Sequence, residues 1–134
     1  MEPTEPVRTR GQRATGTTLI VLTAFALATS SIAKLAGIRD IVRELNAHGL
    51  YSGAILLVAS LEILSATTFI IPATRAVGLL LISAFLGGAM ATHLEHGESM
   101  APPAILLALA WTGVWLRNPV AFWSRAFARR GRSA

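Results

Sequence analysis

A single acidic residue, Glu62, lies near the middle of a long stretch of apolar and small side chains that covers residues 50–72. A helix over this stretch is long enough to cross the hydrocarbon core of a bilayer, about 30 Å at about 1.5 Å per residue. A charged carboxylate at that depth costs about 2.5–3.5 kcal/mol on the translocon scale. Such a group usually faces another helix, a cavity or a cation, so Glu62 is the first residue to which we assign chemistry.

Two environments would allow Glu62 to stay in the membrane. The carboxyl group is either ionised beside Lys34, the only lysine in the chain, or neutral and hydrogen-bonded to hydroxyl groups. Ser30, Ser31 and Lys34 share one face of a helix over the preceding apolar segment, and Ser65 shares a face with Glu62. Because Lys34 lies near the end of its segment and Glu62 lies deep in the next, the ion pair requires a tilted helix or a bridging water.

Thr92 and His93 end a third apolar segment, on the side of the membrane where we also place Lys34. We expect these groups to form a polar pocket that opens outward. His93 and His96 share a helix face, with glutamates nearby, which is a pattern that could bind a metal ion. No third histidine is close in the sequence, and the stretch also has the composition of a solvated loop. We therefore predict no metal site.

The composition indicates which elements position these groups. Of the 134 residues, 53% are hydrophobic and only 14% are charged, and the apolar residues come in long blocks. This predicts an all-α membrane protein: a four-transmembrane-helix bundle with spans at residues 17–36, 50–72, 76–94 and 102–117. Small residues in the third span, among them Gly78, Gly87 and Gly88, favour close helix approach. Residues 37–49 are polar but periodic, which predicts a short interfacial helix between spans one and two.

The ends of the chain carry most of the basic residues. We expect a disordered basic tail at residues 1–16, a membrane domain at 17–117 and a basic amphipathic segment at 118–134. Arg117, Trp111 and Trp115 lie toward the end of span four, and Trp123 lies in the last segment. Tryptophans and basic side chains are typical of the membrane interface, so we predict that these four residues lie there.

Charge placement predicts the orientation. With both termini in the cytoplasm, nine arginines lie inside and three basic residues lie outside, as the positive-inside rule requires. The basic residues that give the net charge of +5 thus orient the chain in a lipid bilayer. We expect no nucleic-acid partner. One alternative remains open: the first apolar segment, followed by Ser31-Ile32-Ala33, also has the pattern of a cleaved signal peptide.

Catalytic motifs are missing from the sequence. It has no phosphate-binding glycine loop and no nucleophile elbow, and with no cysteine it has no thiolate chemistry. We therefore predict no catalytic residue and expect no autonomous enzyme activity.

A set of short motifs, in order and at consistent spacing, resembles the DoxX-like family of small bacterial membrane proteins. The motifs are Ala33-Lys34-Leu35, Gly49, Leu61-Glu62-Ile63, Pro72-Ala73-Thr74-Arg75, Gly87-Gly88-Ala89 with Thr92, and Leu116-Arg117-Asn118-Pro119. The resemblance covers roughly residues 17–123. It implies a four-helix protein of the bacterial inner membrane, with Lys34, Glu62 and Arg117 as the residues of interest.

Some members of that family are subunits associated with thiosulfate:quinone oxidation or with membrane redox complexes that defend against oxidative stress. The resemblance therefore implies a non-catalytic membrane subunit or scaffold that presents a quinone or a soluble redox protein. The alternative is a small proton-coupled transporter that uses Glu62, for which so short a chain would form a homodimer. No other cofactor is expected.

Overall fold

A computed structural model describes residues 9–117, and every structural statement below concerns these residues. They form helices and no strands, which confirms the all-α class. The helices are α1 (Arg10–Leu35), α2 (Arg39–Ala47), α3 (Ser52–Ile70), α4 (Arg75–Glu95) and α5 (Ala101–Arg117). The expected C-terminal segment at 118–134, with Trp123, lies outside the described residues.

The four longer helices form a ring in which α1 packs against α3 and α5, and α4 packs against the same two helices. Successive members of the ring run in opposite directions, so the bundle has two distinct ends. We call one the histidine end, where His48, His93 and His96 lie beside α2 and the α4–α5 loop. We call the other the arginine end, where Arg75 begins α4 and Arg117 ends α5.

Three helices, α1, α3 and α4, are long and apolar enough to cross a membrane. Helix α5 is equally apolar but shorter, with 17 residues, a length of about 26 Å. Helix α2 occupies the position expected for a short amphipathic helix. Its place at the membrane interface, and the crossing of the membrane by α5, stay predictions.

Helix α1 begins earlier than the sequence suggested. Residues 10–16, which we expected in a disordered tail, form its first two turns. A capping box explains this start, because Thr9 and Gln12 each accept a hydrogen bond from the other's backbone N–H, at 3.3 and 3.1 Å. Pro3 and Pro6 both precede this cap, so neither interrupts the helix.

The apolar core lies in the arginine half of the ring. Its buried members come from the middle of α1, the early and middle part of α4, and the late part of α3 and α5: Ile20, Ala24, Leu27, Ala66, Phe69, Leu79, Ile82, Leu86, Ala110 and Val114. Many large apolar side chains outside this core are exposed, Leu57 and Leu80 among them, as lipid-facing side chains are. One half of the bundle is therefore tightly packed, which leaves the other half for a site.

Glycines allow close approach in the packed half only. A Cβ at Gly16 would lie 2.7 Å from the carbonyl oxygen of Gly113, and a Cβ at Gly78 would lie 2.3 Å from the backbone nitrogen of Phe69. The expectation for Gly87 and Gly88 was wrong, since a Cβ at either position would meet nothing within 4 Å. Their side of α4 faces open space and not a helix.

Candidate functional site

Lys34 and Glu62 form a buried ion pair. The Lys34 Nζ lies 2.6 Å from Glu62 Oε2 and donates a second hydrogen bond to Ser30 Oγ, also at 2.6 Å. The side chains are only 10% and 3% exposed, so water screens the pair little. Of the two environments that the sequence left open for Glu62, the structure contains the one with Lys34 as partner.

The direction of helical side chains explains how this pair bridges its difference in depth. Ser31 Oγ donates to the Ala59 carbonyl oxygen at 2.6 Å, which fixes the register of α1 against α3. Because the helices are antiparallel, Lys34 and Glu62 lie about one turn to either side of that bond, about 9 Å apart along the axis. Side chains lean toward the N-terminus of their own helix, so these two lean toward each other. Neither a bridging water nor a special tilt is required.

The predicted serines have three different roles. Ser30 accepts from Lys34, and Ser31 links α1 to the backbone of α3, whereas Ser65 Oγ donates to the Leu61 carbonyl oxygen of its own helix at 2.6 Å. The hydroxyl hydrogens of Ser31 and Ser65 are therefore committed to backbone carbonyls. Their contacts do not support a neutral Glu62 held by these serines.

The pair lies on the wall of a cavity of about 610 Å³ in the histidine half of the bundle. All five helices contribute to it, mostly with apolar side chains. The lining residues include Ala26, Ser30, Lys34, Leu45, His48, Val58, Glu62, Phe85, Gly88, Ala89, Thr92, His93, Pro103 and Leu106. The two predicted residues at the end of α4, Thr92 and His93, thus lie in the same cavity as the ion pair.

A second polar cluster lies at the mouth of this cavity. Glu98, in the α4–α5 loop, has Oε1 at 2.9 Å from His48 Nε2 and Oε2 at 2.8 Å from His93 Nδ1. A carboxylate only accepts, so both ring nitrogens carry the hydrogen and donate. These hydrogen bonds lower the pKa of Glu98, and the bond from His48 has the largest effect. Desolvation acts in the opposite direction.

Sequence reasoning missed the roles of His48 and Glu98. It placed His93 in a polar pocket and weighed His93 and His96 as metal ligands, but it did not pair either with Glu98. In the structure the Glu98 carboxylate joins His93 to His48, which lies 50 residues earlier in the chain. The available sequence signal was Glu98 in the α4–α5 loop, with His48 and His93 at the same end of the bundle. Among residues 9–117, no group of three histidine or acidic side chains is arranged to hold a metal ion.

Arg117 lies at the opposite end of the bundle from the ion pair. Its Nη1 donates to Thr17 Oγ1, which ties the end of α5 to the start of α1. Trp111 Nε1 donates to Ser83 Oγ at 3.1 Å and so links α5 to α4. Trp115 is 55% exposed. The structure therefore does not bring these three residues to the cavity, and their place at a membrane interface stays a prediction.

Comparison with models of protein families gives a match. The model of the DoxX-like family matches residues 18–113, which include Lys34, Glu62 and every residue that lines the cavity. No curated protein and no solved structure is significantly similar to the chain. The match covers most of the sequence, and with the long apolar helices it shows an integral membrane protein. The chain belongs to the DoxX-like family.

Proposed function

We propose that this chain is a non-catalytic membrane subunit that holds a lipid-soluble ligand of the quinone class in its cavity and serves a redox complex. One observation carries the proposal: a mostly apolar cavity of about 610 Å³ has an ion pair on its wall. Ligand pockets are typically about 300–1,000 Å³, apolar, with a few polar groups that orient the ligand. This cavity has each of these properties.

The ion pair is chemically suited to both redox forms of such a ligand. An ammonium group has three hydrogens, and Lys34 uses two of them, on Ser30 and Glu62. The third is available to the carbonyl oxygen of a quinone. Within residues 9–117, Glu62 engages only Oε2, which leaves Oε1 to accept from the hydroxyl group of a quinol. The pair thus orients the ring, while the apolar wall contacts its substituents.

A partner protein, and not this chain, carries out the electron transfer. The chain has no cysteine for thiol redox chemistry, and its described part holds no cluster that could bind a metal ion. A redox protein that docks on the bundle would carry the electrons. The chain itself binds and positions the ligand.

A small proton-coupled transporter is the second candidate, and the placement of Glu62 favours it. An ionisable group in a span that faces a cavity is a common element of proton relays. A flux measurement on proteoliposomes distinguishes the two functions. A transporter moves protons when substrate is added, whereas a binding subunit gives no flux and copurifies with an oxidoreductase.

We propose a bacterial-type inner membrane with the arginine end of the bundle, and both termini, in the cytoplasm. Helix α1 packs against α3 and α5 and supplies Lys34, which supports its retention over cleavage as a signal peptide. Reporter fusions at the N-terminus and after Arg132 are expected to show cytoplasmic activity in both cases. An intact mass that begins near Lys34 would show instead that the first segment is removed as a signal peptide.

Gly88→Leu is expected to fill the cavity and weaken quinone binding at least about tenfold, which corresponds to about 1.4 kcal/mol. Gly88 lines the cavity, and a Cβ there meets nothing within 4 Å, so the new side chain enters empty space. The fold should tolerate the change, because leucine favours a helix more than glycine does. Titration of a short-chain quinone into the purified protein measures the effect.

Gly87→Leu is the matched control. A Cβ at Gly87 also meets nothing within 4 Å, but Gly87 does not line the cavity. Its binding constant should stay within about twofold of the wild type, a difference of about 0.4 kcal/mol. Equal weakening in both variants, or none in either, would show that the quinone does not bind in this cavity.

A further inference from the structure

Helix α2 covers one side of the cavity but is held loosely. Ile41, Glu44 and Leu45 line the cavity from α2, yet no residue of this helix is buried. Its packing on the other helices is slight, and α1 provides most of it. A segment with so little buried apolar surface belongs to the least stable part of a fold.

Both connections of α2 contain a glycine in the left-handed conformation. Gly37 has a φ angle of 66° and Gly49 has a φ angle of 77°, and a Cβ at either would meet nothing within 4 Å. Glycine changes between such conformations at low energetic cost, which is what a hinge requires. Rotation at Gly37 and in the short connection 49–51 would let α2 move outward while α1 and α3 stay in place.

One cluster of side chains ties the C-terminal end of α2 to α4 and to the α4–α5 loop. His48, the C-cap of α2, has a side chain that is only 7% exposed, and it donates to Glu98 in the α4–α5 loop. Glu98 accepts at the same time from His93 on α4. The ring of His96, the C-cap of α4, lies 4.6 Å from the ring of His48, measured between the ring centroids. These are the contacts that α2 loses when it swings outward.

We propose that α2 is a lid that controls access to the cavity, and that Glu98 is its latch. Closed, the latch joins α2 to α4 through one carboxylate and two imidazoles. Open, His48 leaves with α2, and the cavity with its ion pair becomes accessible from the histidine end. A lid controls access to the cavity and does not depend on the identity of the ligand. The lid can therefore be disproved while the proposed function holds, and the proposed function can be disproved while the lid holds.

The other charged groups near the cavity come from several elements. Glu44 lies on α2 itself, Lys34 on α1 and Glu62 on α3, while the described part of α5 places no titratable group in the lining. Lys34 and Glu62 satisfy each other. The latch carboxylate is therefore the ionisable group that links the lid to the bundle.

The latch should persist over a wide pH range. Because the hydrogen bonds of His48 and His93 lower the pKa of Glu98, their stabilisation is present above the ordinary glutamate pKa of about 4.3. It is lost only as the pH falls through the lower value of the folded protein.

Thiol labelling tests the lid. The chain has no cysteine, so Ala89→Cys, which lines the cavity, would be the only position that reacts with a membrane-impermeant thiol reagent in nanodiscs. Adding Glu98→Ala is expected to raise the labelling rate about tenfold, the effect of about 1.4 kcal/mol on the open fraction. Glu95→Ala, at an exposed residue of the same end, should leave the rate within about twofold.

Two substitutions of His48 separate the hydrogen bond from packing. His48→Leu should accelerate labelling as Glu98→Ala does, and the double variant should be no faster than the faster single one. His48→Gln keeps an N–H donor at similar reach, so it should label near the wild-type rate. Faster hydrogen exchange of α2 but not α3 in Glu98→Ala gives a second readout. A wild-type labelling rate in Glu98→Ala, or equal acceleration by Glu95→Ala, would overturn the proposal.

Discussion

Glu62→Gln and Lys34→Met should each destabilise the bundle by about 3–5 kcal/mol, because each leaves an uncompensated polar or charged partner in a nearly dry site. The side chains are 3% and 10% exposed, so hydration relieves little of this cost. The double variant should recover part of the loss, since it removes both partners. Unfolding in bicelles, analysed as a double-mutant cycle, gives the coupling energy between the two residues.

Ser65→Ala is a suitable control for this cycle. Ser65 shares the helical face of Glu62 and is buried, but its hydroxyl group donates to its own helix. Its removal should cost about 1 kcal/mol and show no coupling to Lys34. A coupling energy of zero between Lys34 and Glu62 would instead favour a neutral, transport-competent carboxyl group.

Gly78→Ala should destabilise the protein by about 3 kcal/mol, the upper part of the range for overpacked cores. The added Cβ would lie 2.3 Å from the Phe69 nitrogen and 2.4 Å from its Cα. These are backbone atoms of α3, so no side-chain rotation removes the clash, and α3 and α4 must move apart. The same unfolding experiment measures the effect.

Gly53→Ala serves as the comparison for Gly78→Ala. Gly53 is also helical, but a Cβ there meets nothing within 4 Å. This change should stabilise the protein by about 0.5–1 kcal/mol through helix propensity. If Gly78→Ala were equally stabilising, the close crossing of α3 and α4 would not exist in the membrane.

Helical periodicity indicated from the sequence that Lys34 and Glu62 could be partners, while a neutral Glu62 stayed open as the alternative. In the structure, Lys34 on α1 contacts both Ser30 and Glu62. Apolar block length likewise located the long helices. Both signals are local, and each follows from 3.6 residues per turn and the thickness of a bilayer.

Features that depend on the rotation and spacing of several helices were not predictable. Gly78 and Gly88 are equally small, yet one contacts α3 and the other opens onto the cavity. The bond between His48 and Glu98 needs α2 folded back over the bundle, which no local pattern specifies. The early start of α1 depends on a reciprocal cap at Thr9 that the polar composition of the tail concealed.

The most direct test of a quinone-class ligand at the Lys34–Glu62 pair is isotope-edited infrared difference spectroscopy. A quinone is added to the protein in nanodiscs with labelled glutamate carboxyl groups, and the Glu62 band is assigned by its loss in Glu62→Gln. At a quinone concentration near the wild-type dissociation constant, we predict that binding shifts the carboxylate band of Glu62 in the wild type and in Gly87→Leu, and that the shifted fraction is several times smaller in Gly88→Leu. A quinone that binds the wild type without changing this band would contradict the account.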